Sequence, residues 1–328
     1  MLFALHSPNC FVPRYLTLIR IPNAHARGRS GMKKRLCLFI ATLVGALVLI
    51  TTSALATPLE IYVSSKYGKV GTLDLSTGAI TEVADFNNSL TNTDYAEYGL
   101  VDIAFDTSGQ LYGLTFDTFY KLDYTAGMTT AKALNQFGTY GVERTFLNAL
   151  VIGEDNTAYA MGYLNKKLFE LDLQTGEQST VYSTGYYSHG DLEWDGNNNL
   201  YLAGGPKKNG ASYLIDIDPA NKKEDGTPLA ITDVSDSTIT YDNVYALAYL
   251  DDTMYGILNN DDQSTFDYFT IDLGTGQATL LGTEAFGDFG PIYGAAVKAS
   301  PTPEPATMVL VGVGLIGLAG MRRKISKS

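Results

Sequence analysis

His189 is the only histidine after residue 56, and it stands beside Tyr186 and Tyr187 and two residues before Asp191. An imidazole near a carboxylate is an arrangement for general-base work, and Asp102 lies near the start of an earlier segment of similar pattern. A surface or hydrogen-bonded histidine is the plainer reading of a solitary imidazole. One histidine leaves no His-cluster metal site and no Ser-His-Asp triad with a base to spare. No Gly-x-Ser-x-Gly, phosphate loop or dinucleotide fingerprint stands in a suitable context. Asp195-Gly196-Asn197-Asn198-Asn199 offers oxygen atoms at alternate positions, as a calcium loop does, but it lacks the glycine at the sixth position and has Pro206 at the twelfth, where glutamate is needed. The sequence therefore assigns no catalytic residue, no metal and no cofactor, with loosely held calcium as the one cation its acidic loops would collect.

The elements that carry these residues form a repeat. A Leu/Ile-Asp-apolar segment followed by a turn glycine occurs at Leu73-Asp74-Leu75 with Gly78, Leu122-Asp123-Tyr124 with Gly127, Leu171-Asp172-Leu173 with Gly176, Ile215-Asp216-Ile217 with Gly226, and Ile271-Asp272-Leu273 with Gly276. The glycines are spaced 49, 49, 50 and 50 residues apart. Each aspartate alternates with apolar neighbours and so faces away from them, where it can accept hydrogen bonds from the next turn's amides. An aromatic strand precedes each segment, such as Leu111-Tyr112-Gly113-Leu114, and a further strand precedes most of those: Val101–Phe105, Leu147–Ile152, Asp191–Trp194 and Val244–Tyr249. Ile292–Val297 has no partner after it and Ile61–Val63 none before it, so the two ends complete each other. A fourth strand follows each glycine, Leu229–Val234 in the fourth copy. The pattern predicts an all-β, five-bladed β-propeller of four-stranded antiparallel blades. A different blade count and a linear solenoid are the alternatives; hairpin turns such as Asp106-Thr107-Ser108-Gly109 argue against the solenoid.

Chain direction places the tight first-to-second and third-to-fourth turns on one face and the longer loops on the other. The loop face should carry Tyr95, Tyr98, Tyr140, Tyr186, Tyr187, Tyr241, Phe286 and Phe289, together with Lys66, Lys69, Lys166, Lys167, Lys207 and Lys208. The candidate ligand face is Tyr98, Asp102, Tyr140, Tyr187, His189, Asp191 and Tyr241, with the two aspartates lining the channel mouth. These aromatics are mixed with Glu97, Glu143, Asp242 and Asp288; aromatic side chains with carboxylates around a channel mouth suit sugar rings and their hydroxyls, and a lysine rim suits an anionic polysaccharide. The same tyrosines could instead do no more than pack between blades.

Residues 57–300 hold twelve basic and thirty-four acidic residues, a net charge of −22, which rules out nucleic-acid binding by phosphate neutralisation. Both cysteines, Cys10 and Cys37, precede residue 57, so no disulfide framework is expected. Lys33-Lys34-Arg35, an apolar run from Leu36 to Ile50 and Ala54-Leu55-Ala56 follow the order of a secretory signal, with Ala54 and Ala56 at the cleavage site and Thr57 as the first mature residue. At the other end, Pro303-Glu304-Pro305, an apolar run from Ala306 to Met321 and Arg322-Arg323-Lys324 resemble the sorting tail of PEP-CTERM proteins, although Thr302 replaces the usual valine. That resemblance implies an exosortase that removes the tail. It also implies a membrane stage through a short transmembrane sorting helix, and a final place on the surface or in the extracellular matrix of a Gram-negative bacterium.

The boundaries read as 1–31, an upstream extension before the true start; 32–56, the signal peptide and its helix; 57–299, the propeller; and 300–328, the sorting tail. The functional expectation is an exported surface or matrix binding or scaffold protein, with signal peptidase and exosortase as processing partners and an exopolysaccharide as ligand of the loop face. The alternative is a propeller-type carbohydrate-active enzyme or lactonase, using Asp102, Asp191 and His189 at the channel mouth.

Overall fold

Residues 60–90, 98–124, 129–137, 145–262 and 264–298 are described by a computed structural model. The signal-cleavage residues Ala54, Ala56 and Thr57, the sorting residues Pro303, Glu304, Pro305, Arg322, Arg323 and Lys324, and Tyr140 lie outside them. The described chain forms five sheets. In blade 1, β1 (Ile61–Ser65), β2 (Lys69–Leu73) and β3 (Ile80–Asp85) continue a sheet begun by the last strand, β22 (Ile292–Val297). Blade 2 is β4 (Asp102–Phe105), β5 (Leu111–Leu114), β6 (Thr118–Asp123) and β7 (Thr130–Gln136). Blade 3 is β8 (Leu147–Ile152), β9 (Ala158–Gly162), β10 (Lys167–Leu171) and β11 (Gln178–Ser183). Blade 4 is β12 (Tyr187–Trp194), β13 (Leu200–Gly205), β14 (Tyr213–Asp218), β15 (Lys223–Glu224) and β16 (Leu229–Ala230). Blade 5 holds β17 (Thr232–Asp233), β18 (Ala246–Leu250), β19 (Thr253–Asn259), β20 (Thr265–Ile271) and β21 (Gln277–Ala285).

The inner strands β22, β4, β8, β12 and β18 pack side by side around the axis, so the ring is closed. Closure runs through β22, paired antiparallel to β1 with Ile61 opposite Val297 and Val63 opposite Ala295. The chain ends therefore share one sheet, which removes the open edges a linear array would expose. Between successive blades lie five apolar clusters; one joins Ile61 and Val63 of blade 1 to Ala246, Ile257 and Phe266 of blade 5. The aromatic strands feed these seams: Tyr62 meets Phe105 edge-on at 4.9 Å between ring centroids.

Three of the five repeated aspartates serve their turns. Asp74 Oδ1 accepts the Ser76 amide at 2.8 Å, Asp172 Oδ1 the amides of Gln174 and Thr175, and Asp272 Oδ1 those of Gly274 and Thr275. Gly176 and Gly276 follow with φ of 73° and 76°, a backbone region that an L side chain would strain. Blade 4 departs from the expected pattern in two ways. Its inner strand starts at Tyr187 rather than Asp191, with a register shift between Ser188 and Leu192. Its outer strand is broken: β15 and β16 pair with β14, whereas β17 crosses to run parallel with β21 of blade 5. Asn221, in place of a tight turn, is caught by Asp218 instead of Asp216.

Candidate functional site

The innermost strand of each blade has one edge without a neighbour, and its amides point at the axis. Burying them unpaired would be costly. Two side chains answer for all five strands. Asp102 Oδ1 accepts the Ile103 amide of β4 at 2.7 Å and Oδ2 the Leu150 amide of β8 at 2.5 Å. Asp191 Oδ1 accepts the Leu192 amide of β12 at 2.7 Å, and its Oδ2 accepts Leu247 of β18 at 2.8 Å and Ala295 of β22 at 3.3 Å. The two carboxyls are close enough to influence each other's protonation. Asp191 receives three amides and Asp102 two, so Asp191 is the better-stabilised anion and Asp102 is the group that holds the proton. Burial is the main cause that raises both above the usual carboxylate range, and for Asp102 the neighbouring Asp191 charge adds to it. This carboxyl pair plugs the axis. Close packing completes the plug: a Cβ on Gly190 would lie 2.2 Å from the Tyr245 carbonyl oxygen, and one on Gly294 would lie 2.1 Å from Asp102 Oδ1.

Above the plug, on the loop face, opens a cavity of about 410 Å³. Its floor is one residue from each inner strand or its lead-in: Val101, Asn148, Gly190, Tyr245 and Tyr293. Its wall is an arc of rings in edge or tilted contact: Tyr245 to Tyr293 at 5.2 Å, Tyr293 to Tyr98 at 6.1 Å, Tyr98 to Phe116 at 5.1 Å, and Phe116 to Phe146 at 6.1 Å. Burial raises the hydroxyl pKa values of Tyr245 and Tyr293, so both stay neutral donors. Phe146 and Asn243, which also line the cavity, hold φ of 43° and 53°, a strained region for residues with side chains. Asn148 is 7% exposed, and its side-chain oxygen has no hydrogen-bond partner among the described residues. Among the described residues no carboxylate lines this cavity, and the charged lining residue is Lys208. Lys66 Nζ sits 4.7 Å from the Tyr98 ring centroid and Lys166 Nζ 4.6 Å from that of Tyr187.

The residues expected at the mouth divide by position. Tyr98 and His189 line the cavity. Tyr187 stands at the lysine rim, between Lys166 and Lys208. Asp102 and Asp191 do not line the mouth; they lie beneath it, fully buried, because the axial amides claim them. Tyr241 faces away, stacked on Phe269 at 4.5 Å in the seam between blades 4 and 5 with its hydroxyl on Asp233. The His189 ring is held at both nitrogens, 2.9 Å from the Lys207 carbonyl and 2.9 Å from Ser212 Oγ. A carbonyl only accepts, so Nε2 carries the hydrogen and Nδ1 accepts from Ser212, which directs the ring's one lone pair at a buried hydroxyl and away from the cavity. Burial lowers the pKa of this neutral ring. Tyr245, Tyr293, Phe116, Phe146, Tyr163 and Asn148 were not expected here. Their signal was positional: Asn148 and Tyr245 stand two residues before Leu150 and Leu247, the residues whose amides the plug takes.

At the opposite, turn-face end lies a second cavity of about 620 Å³, lined by Glu154, Asp155, Glu193, Asp195 and Asp251 with Tyr159, Trp194 and Tyr249. Among the described residues no group of three or more His, Cys, Asp or Glu side chains is placed to hold a metal ion.

Residues 301–324 match the PEP-CTERM protein-sorting motif. The chain carries a PEP-CTERM sorting signal. This signal implies an exported, membrane-transiting protein of a Gram-negative bacterium that exosortase processes. No curated protein matches the chain. Solved structures with a similar course include one from a nidogen/laminin complex, at 11% identity and a TM-score of 0.45, covering 74% of this chain and 99% of that one. Another is a catalytically inactive virginiamycin B lyase from Staphylococcus aureus with quinupristin, at 10% identity and a TM-score of 0.38, covering 71% of this chain and 67% of that one. Similarity at this level carries no argument about activity.

Proposed function

We propose that this exported PEP-CTERM propeller is a cell-surface or extracellular-matrix binding module and that its loop-face cavity takes a glycan. The observation that carries the reading is the arc of five rings from Tyr245 to Phe146 above a floor where the buried Asn148 oxygen lacks a partner. Aromatic faces stack on the apolar face of a sugar ring, and a free buried acceptor needs a hydroxyl or amide donor. Catalysis at this mouth has less support, since His189 has both nitrogens engaged and the two raised carboxyls are spent on backbone amides. The test is retention on immobilised exopolysaccharide from the native host. Tyr245→Ala and Tyr293→Ala should each weaken binding by about 0.5–1.5 kcal/mol, while Gln174→Ala on the turn face leaves it unchanged. Equal behaviour of the three variants would leave only a scaffold role.

A further inference from the structure

We infer that the loop-face cavity recognises the end of an acidic glycan chain; the inference rests on the glycan reading above and specifies its ligand.

The first ground is the closed axis. Asp102 and Asp191 are fully buried below the cavity, and the near contacts at Gly190 and Gly294 leave no room for even a methyl group. A polysaccharide cannot thread this channel. The second ground is depth. The unpartnered acceptor, Asn148 Oδ1, belongs to the floor and not to the rim. A chain lying across the mouth would cover the rings of Tyr98 and Phe116 yet leave that oxygen unanswered, at the cost of a buried unpaired acceptor. A terminal sugar entering end-on can stack on Tyr245 and Tyr293 and bring a hydroxyl or acetamido N–H down to Asn148.

The third ground is charge. Residues 57–300 carry a net −22, yet the lining of this cavity holds no carboxylate among the described residues. Lys208 lines it, while Lys66 and Lys166 lean over the rings of Tyr98 and Tyr187 at its edge. His189 is neutral and both its nitrogens are engaged. A neutral sugar would gain from these lysines only hydrogen bonds to its hydroxyls, without charge pairing. A terminal uronate would place its carboxylate at the rim while its ring occupied the aromatic arc.

The experiment uses the purified full-length protein and exopolysaccharide from the native host in three forms: intact, partly hydrolysed to short fragments, and carboxyl-reduced. Competition is read per unit mass of sugar. An end-binding site should make the fragments more potent in proportion to their number of ends, and carboxyl reduction should weaken competition by about tenfold. Asn148→Ala should cost about fivefold in fragment affinity at an unchanged melting temperature, and Lys208→Gln should flatten the salt dependence. If intact polymer competes as well per mass as fragments, end recognition is overturned. If the carboxyl-reduced polymer competes equally, the acidic class is overturned while the glycan reading stands. If none of the three forms binds, the glycan reading falls and takes this inference with it.

Discussion

The two mouths of the channel are built by the same five inner strands, yet their polar atoms are employed differently. At the turn face, carboxylates are abundant and largely occupied. Asp195 Oδ1 accepts the amides of Asn197 and Asn199 and its Oδ2 the Asn199 side chain, Asp155 accepts the Thr157 amide, and Glu193 accepts the Trp194 amide. At the loop face, among the described residues, carboxylates are absent from the lining, while rings meet side by side and the Asn148 oxygen has no partner. The turn mouth is acidic because tight hairpins need aspartate and asparagine. Nothing in hairpin geometry calls for an arc of aromatics around a buried amide, and that difference favours the loop mouth as the proposed binding surface.

The plug between the mouths is where the comparison is easiest to break. Asp191→Ala should leave the amides of Leu192, Leu247 and Ala295 unpaired in the interior, which at about 1–3 kcal/mol per group predicts a loss of at least about 3 kcal/mol. Urea denaturation of parent and variant measures it. A midpoint that does not move would mean that the axis is wet and the two mouths communicate, and the contrast drawn between them would lose its basis.

A subtler effect concerns pH. The buried pair keeps a proton that two unfolded aspartates, with pKa values near 3.9, would release. Around neutrality the folded state therefore binds more protons than the unfolded one. The stability owed to that proton is complete below the unfolded pKa and is lost as pH rises through the folded values. The predicted slope is about −1.4 kcal/mol per pH unit from this pair. Asp102→Asn cannot ionise, so its stability should fall less steeply between neutral and mildly alkaline pH. Its amide NH2 cannot accept, and one axial amide goes unpaired, so the variant is also less stable at every pH; the slope is the readout. Glu193, whose pKa burial also raises, is present in both proteins and drops out of the difference. Parallel stability–pH curves for parent and variant would contradict a shared proton.

The blades, their number and their closure were legible because they repeat: period-2 alternation and a turn glycine every 49 or 50 residues state the same unit five times. The loop face was legible from chain direction alone. What escaped was anything decided by a single inner strand's neighbours. Asp102 and Asp191 read as mouth residues because strand position gives height along the axis only approximately, and the demand of five axial amides is not visible in any one strand. Tyr241 read as a ligand contact because a tyrosine in a loop cannot be told from one folded back onto Phe269. His189 gave no hint of Ser212, twenty-three residues away, which occupies its Nδ1. The broken outer strand of blade 4 follows from Gly226, with φ of 82°, and Pro228, which cannot donate to a ladder; the two lie where pairing fails between β15 and β16.

The smallest expected effect is the sharpest test of the contrast itself. Asp195 anchors its hairpin with three hydrogen bonds, so Asp195→Ala should destabilise the fold by about 1–2 kcal/mol. The loss belongs to the turn between β12 and β13, on the far side of the carboxyl plug from the aromatic cavity. Because the plug holds Leu192 and Leu247 in place independently of that turn, the floor residues Gly190 and Tyr245 should not shift, and sugar binding at the loop face should match the parent at temperatures where both are folded. Measuring melting temperature and exopolysaccharide retention on the same preparation separates the two readouts. A drop in retention that follows the drop in stability would show that the mouths are coupled through β12. Lost stability with full retention would show that one end of the propeller is architecture and the other is the binding surface.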